Sequence, residues 1–178
     1  MHTGANDLFD GKEKGMTDEY TQTRLKMSEK LAFIAREYET AEELIRAAGE
    51  AAVSLGYAEE AFTQDVIDRE KEYPTGLNAV MPIAIPHVST HVKESFMAVT
   101  TLRRPVPFEP MDGRGDALPV EVVFVFGLLD HRNQVQVLQR LAHMFKDKAA
   151  LQKLKNAATD AEGCAVISEY LGALVEIV

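Results

Sequence analysis

The stretch Pro119–Leu129 constrains this chain most. It carries Val120, Val122, Val123, Phe124, Val125, Phe126, Leu128 and Leu129, with Gly127 as the only break after Val122. β-branched and aromatic residues without polar alternation mark a strand buried on both faces. Such a strand demands one layer above it and another below. Its continuous part, Val122 to Leu129, is eight residues long. A bilayer-spanning helix needs roughly 20, so this is a core strand and no membrane span.

The flanking pattern supplies the layers. Leu31-Ala32-Phe33-Ile34 reads as a first strand, although a helix is nearly as compatible locally. Thr40-Ala41-Glu42-Glu43 has the form of a capping box: a threonine oxygen for an early N–H, and a glutamate that reaches back. Leu44, Ile45, Ala48, Ala51, Ala52 and Leu55 then recur at helical spacing up to Gly56. A second helix is expected from Ala58 to Tyr73, ended by Pro74. Val80–Ile85 and Phe96–Leu102 read as strands. Pro105 to Asp116, marked by proline and glycine, reads as a long loop. Helices are expected over Asn133–Phe145, Lys148–Ala158 and Asp160–Leu171. The order β-α-α-β-β-β-α-α-α predicts an α/β fold, a mixed central sheet with helices on both faces. It lacks the βαβ alternation of a dinucleotide fold.

A length of 178 residues suits one domain. Residues 1–25 read as a polar, flexible lead, and 26–178 as the folded domain. With 28 acidic and 19 basic residues the net charge is −9, which argues against a nucleic-acid binder. A single cysteine excludes an intramolecular disulfide framework. No basic start precedes an apolar block, so no signal peptide is expected and the cytoplasm is the default.

The usual nucleotide and hydrolase motifs, GxGxxG, GxxxxGK[ST] and GxSxG, are missing. Histidine is the remaining candidate. Of His2, His87, His91, His131 and His143, His2 lies in the polar lead and His143 within a helix, where a structural role is the simpler reading. His131 suits a turn or a site equally. His87 follows Pro86 at the mouth of a strand, a good place for a nucleophile. Ser89 and Thr90 follow with hydroxyls that an added phosphoryl group would need. Spacing alone leaves His87 open between a functional and a structural role. His87 and His91 are four apart, but the glutamate of a zinc helix motif is absent, so no metal is expected. Cys164 reads as a packed core thiol.

At these residues the chain resembles a known family. Arg69-Glu70-Lys71-Glu72-Tyr73-Pro74-Thr75-Gly76-Leu77, followed by Ile83-Ala84-Ile85-Pro86-His87, resembles the enzyme IIA components of the bacterial phosphoenolpyruvate-dependent sugar phosphotransferase system. The likeness is to the fructose/mannitol type. Pro74-Thr75-Gly76-Leu77 and His91-Val92 are most like the galactitol-specific members. The resemblance covers about residues 30 to 175 and includes Pro105-Val106-Pro107-Phe108 and the long strand before the Leu138/Leu141 helix.

The resemblance implies a mixed sheet flanked by helices and a phosphorylated His87. The phosphoryl group would come from the histidine-containing carrier protein HPr and pass to a cysteine of a cognate enzyme IIB, which serves a sugar or alditol permease, enzyme IIC. Phosphorylation would fall on Nε2, with Nδ1–H held by a backbone carbonyl. Arg69 matches the family arginine near the active histidine, where it would neutralise phosphoryl oxygens; sequence alone would place it on a solvated helix face. Gln134 stands where mannitol and fructose types carry a second histidine, and it cannot carry an imidazolium charge. His131, three residues earlier, would compensate if the loop bends suitably, and His91 is a further candidate site residue. No cofactor is implied. Three rivals remain: a regulatory phosphoacceptor of the nitrogen type, an interaction module that has lost phosphotransfer, and a metal-dependent hydrolase using His87 and His91.

Overall fold

The computed structural model describes residues 24–129 and 135–178. In chain order the elements are β1 (Leu25–Met27), β2 (Ala32–Arg36), α1 (Ala41–Ser54), α2 (Phe62–Glu72), β3 (Gly76–Asn78), β4 (Pro82–Ala84), β5 (His87–Val88), β6 (Phe96–Phe108), β7 (Leu118–Gly127), α3 (Val135–Lys146), α4 (Lys148–Lys155), α5 (Asp160–Leu171) and β8 (Val175–Ile177). The strands form one mixed sheet in the order β3-β4-β7-β6-β1-β8, with β2 also on β6 and β5 also on β7. β6 and β7 run antiparallel, whereas β4 and β5 both lie parallel to β7.

The long apolar strand is β7, and both its faces are covered. Val122, Phe124 and Phe126 join Ile83, Met97 and Val99 in a core closed by Leu141, Leu151 and Ile167 of α3, α4 and α5. Val123 and Val125 join Ala84, Phe96 and Ala98 in a second core under Ile45, Ala48, Phe62 and Val66 of α1 and α2. The side-chain period of two on a strand divides one sequence run between two cores. The expected α/β fold with helices on both faces is therefore present.

The expected capping contact at α1 forms: Thr40 Oγ1 accepts the Glu43 N–H at 3.2 Å. Glu43 in turn accepts the Glu39 N–H, one residue before the cap. Asp147 and Thr159 cap α4 and α5 in the same manner.

Several expected boundaries need correction. The helix expected from Ala58 starts only at Phe62, because Ala58 bridges to Val92 and the Glu59 N–H bonds the His91 carbonyl. The first third of the loop expected over Pro105–Asp116 is strand. β6 continues through Pro105 and Pro107 to Phe108, with Val106 opposite Val120 and Pro107 opposite Pro119. The register shifts between Thr101 and Val106, and this irregularity accommodates residues that lack an N–H. Strands β1, β3, β5 and β8 were not expected. Each has two or three residues, too few to show a period.

Candidate phosphotransfer site

Two segments wall one cleft, α2 with its C-terminal end and β5 with the turn after it, and the β3–β4 hairpin connects them. The chain leaves α2 at Glu72, turns through Tyr73-Pro74-Thr75, pairs β3 with β4, and reaches Pro86. Gly76 is required at this turn. A Cβ there would lie 2.5 Å from the Glu109 carbonyl oxygen, and the Gly76 N–H donates to that same oxygen at 3.1 Å. Proline at 86 ends the β4 ladder, yet its carbonyl still accepts the Phe126 N–H at 3.0 Å. β5 therefore registers on the end of β7, His87 opposite Phe126.

The cleft has a volume of about 590 Å³ and is lined by Asp65, Asp68, Arg69, Glu72 and Tyr73 of α2 and its end, and by His87, Val88, Ser89 and Thr90. His87 is half-buried. Its Nδ1 lies 2.8 Å from the Ile85 carbonyl oxygen. A carbonyl only accepts, so Nδ1 carries the hydrogen. In the neutral ring the lone pair is then on Nε2.

Arg69 comes to His87 from α2. Its Nε–H donates to the His87 carbonyl at 3.1 Å. The guanidinium also lies over the Tyr73 ring, 5.2 Å from the centroid. One hydrogen bond and one cation–π contact set its plane beside the cleft.

The turn after β5 is tied to the same helix. The Thr90 hydroxyl and the His91 Nδ1–H, the latter at 2.7 Å, both donate to Asp65 Oδ2. The hydrogen bond from Thr90, with that from His91, holds the Asp65 carboxyl below its usual range against the opposing effect of burial. His91 adopts a left-handed backbone, φ 57°. The Thr90 hydroxyl proton, expected at a phosphoryl oxygen, is thus directed at Asp65, whereas Ser89 stays exposed on the cleft wall. Sequence order gave no sign of Asp65, which is 25 residues from Thr90.

Behind the cleft lies a second carboxylate that the residue pattern did not single out. Glu70 accepts the Thr75 N–H at 2.9 Å and the Thr75 hydroxyl at 2.8 Å. Burial pushes its pKa up to about 7, despite the two Thr75 hydrogen bonds and the Arg69 charge.

Gln134 and His131 lie outside the described residues, as do His2 and the lead 1–23. His143 is exposed on α3, and Cys164 is buried in α5, where burial raises its thiol pKa. Among the described residues, no three His, Cys, Asp or Glu side chains gather as a metal site. No described helix is long and apolar enough to cross a membrane.

The family model for the phosphoenolpyruvate-dependent sugar phosphotransferase system, EIIA 2, matches residues 26–170. The chain belongs to this family. It thus carries the EIIA 2 domain of that system's family over most of its length. The mannitol-specific EIICBA component of Escherichia coli (strain K12) is 26% identical over 159 residues, 89% of this chain and 24% of that protein. The chain therefore spans about a quarter of that relative's length. The crystal structure of IIA mannitol from Escherichia coli superposes with a TM-score of 0.65 at 27% identity, covering 83% of this chain and 100% of that one. The Escherichia coli complex of enzyme IIA-mannitol with phosphorylated enzyme IIB-mannitol gives 0.62 at 26% identity, over 80% and 94% of the two chains.

Proposed function

We propose that this EIIA chain is a phosphocarrier that accepts a phosphoryl group on His87 Nε2 from phospho-HPr and passes it to a cysteine of a cognate enzyme IIB. The observation that carries the proposal is the Nδ1 bond to the Ile85 carbonyl, which leaves the nucleophilic lone pair on Nε2 of a residue lining the cleft. In the first step Nε2 attacks phosphorus in line. A P–N bond to His87 forms as the P–N bond to the HPr histidine breaks, and the HPr ring departs with its electron pair. Nδ1 keeps its proton, and the Ile85 carbonyl stabilises the ring as it gains positive charge. In the second step a cysteine thiolate takes the group, forming S–P as N–P breaks. Positioning and charge neutralisation carry the barrier lowering, so no cofactor is called for.

Arg69 supplies the neutralising charge, and Ser89 a hydroxyl for the phosphoryl oxygens. Thr90 and His91 act at one remove, holding the turn to α2 through Asp65. Partners dock over the cleft mouth. There Tyr73 and Leu129 are exposed apolar residues, and Leu129 directly follows Leu128, whose N–H bonds the Val88 carbonyl. The carboxylates Asp65, Asp68 and Glu72 suit a basic partner face. The cargo we propose is an alditol handled by enzyme IIC in the membrane, with this chain acting from the cytoplasm. The mannitol relatives support the alditol class, and Pro74-Thr75-Gly76-Leu77 and His91-Val92 support a galactitol-like member of it.

The test is intact-mass spectrometry after incubation with phosphoenolpyruvate, enzyme I and HPr. One acid-labile phosphoryl adduct is expected on the wild type and none on His87→Ala. An adduct that persists in His87→Ala, or a wild type left unmodified by carriers that phosphorylate a control EIIA, overturns the proposal.

A further inference from the structure

We propose that Glu70 is a positioning residue for His87, acting through Thr75 and the Ile85 backbone. The proposal rests on His87 as the phosphoryl acceptor.

Four groups make one directed chain of hydrogen bonds. Thr75 is 3% exposed, so its hydroxyl has no ready exchange with solvent. Glu70 Oε2 accepts that hydroxyl at 2.8 Å, while Oε1 accepts the Thr75 N–H at 2.9 Å. When Glu70 is ionised the Thr75 proton is committed to the carboxylate, and Thr75 Oγ1 has only acceptor capacity left. It uses this on the Ile85 N–H at 3.1 Å. Ile85 lies between β4 and β5, where the Thr75 hydroxyl stands in for a ladder partner. The Ile85 carbonyl then accepts Nδ1–H of His87 at 2.8 Å. Both polar atoms of one residue are therefore pinned, one by the Glu70–Thr75 pair and the other by the imidazole.

The consequence concerns the tautomer. Two neutral forms of His87 are close in energy in water, and only the one with Nδ1–H leaves Nε2 nucleophilic. Its population depends on an acceptor held steadily at Nδ1. Half-buried Glu70 directs the Thr75 hydroxyl, Thr75 holds Ile85, and Ile85 selects the tautomer. Glu70 adjoins Arg69 on α2, so one turn of helix serves both the phosphoryl charge and the ring orientation. Burial of Thr75 limits the access of water to these bonds.

The test is ¹⁵N NMR of the His87 ring together with single-turnover transfer from phospho-HPr. Thr75→Val keeps the shape and deletes both hydroxyl bonds, whereas Thr75→Ser keeps them. In Thr75→Val the ring shifts are expected to move from a dominant Nδ1–H form to a mixture. Transfer is expected to slow by roughly 10-fold or more, as when a supporting partner of an active group is lost. Thr75→Ser is expected to restore both. If Thr75→Val does not fold, Glu70→Met applies the same test by removing both acceptors. An unchanged tautomer in the folded variant, or a Thr75→Ser variant as impaired as Thr75→Val, would overturn the proposal. The ring shifts need no phosphorylation. A wild type that accepts no phosphoryl group would thus sink the phosphocarrier reading while the positioning claim is still decided by NMR.

Discussion

Arg69 is held at two points, by its Nε bond to the His87 carbonyl and by the Tyr73 face. Lysine can reproduce neither the planar stacking nor the fork of donors. Arg69→Lys is therefore expected to lower single-turnover phosphoryl transfer by about 1,000-fold, the lower end of what a phosphoryl-neutralising arginine contributes, with the melting temperature little changed. Rapid-quench measurement of the His87 adduct checks this, and a lysine variant as fast as wild type would remove Arg69 from the chemistry. At this scale His87 could be picked out as a candidate at a strand mouth, whereas Arg69 came only with the family resemblance, since spacing alone leaves it on a solvated helix face. Asp65 and the Glu70–Thr75 pair were not legible. Asp65 meets Thr90 and His91 only because α2 folds back against the turn. Glu70 meets the Thr75 N–H and hydroxyl only because the chain turns back at the end of α2.

Among the elements, β7 was readable because both its faces are buried, and α1 because its cap and apolar spacing agree. β6 was read short, since proline ordinarily marks the end of a strand. The register shift before Val106 allows the pairing to resume. The β7 end also contains a tight contact. A Cβ on Gly127 would collide with the Phe96 ring, which packs edge-on against Phe62 at 5.2 Å. Phe96 cannot retreat, because Tyr57 lies 6.2 Å away on the α1–α2 connection. Gly127→Ala is expected to destabilise the fold by about 1–3 kcal/mol, the usual cost of overpacking. Val88 pairs with Gly127, so β5 should loosen as well. Urea denaturation with amide exchange at His87 and Val88 tests this, and a variant as stable as wild type would mean that the ring moves freely.

At the scale of the whole molecule, the two cores on either side of one sheet follow from the doubly apolar run of β7. Its closure at the far edge does not. β1 and β8 pair with each other through three residues each, which only the fold's juxtaposition of residues 25–27 and 175–177 reveals. Stability against pH is a property of this whole assembly. Glu70 has a pKa of about 7 in the fold against an ordinary 4.5. Burial is the largest cause, opposed by Thr75 and Arg69. Around it, Lys71, Glu42 and Glu109 line the same small cavity, and Lys71 pairs with Glu42 at 2.9 Å. Between these two pKa values the folded state binds a proton that the unfolded chain has released, so stability falls as pH rises. The contribution is fully present below about 4.5 and is lost as pH passes 7, a span worth at most ~3 kcal/mol at 1.36 kcal/mol per pKa unit. Asp65 slopes the other way: its lowered pKa adds stability that is lost only as pH falls below the ordinary carboxylate range. The two windows do not overlap. Urea unfolding of wild type and Glu70→Gln at pH 5 and pH 8 isolates the effect, since glutamine does not titrate. Wild type is expected to lose stability relative to the variant on going to pH 8. A difference that stays constant would mean that the ionised carboxylate is as well held as the neutral acid, and that the Thr75 donors fully offset its burial.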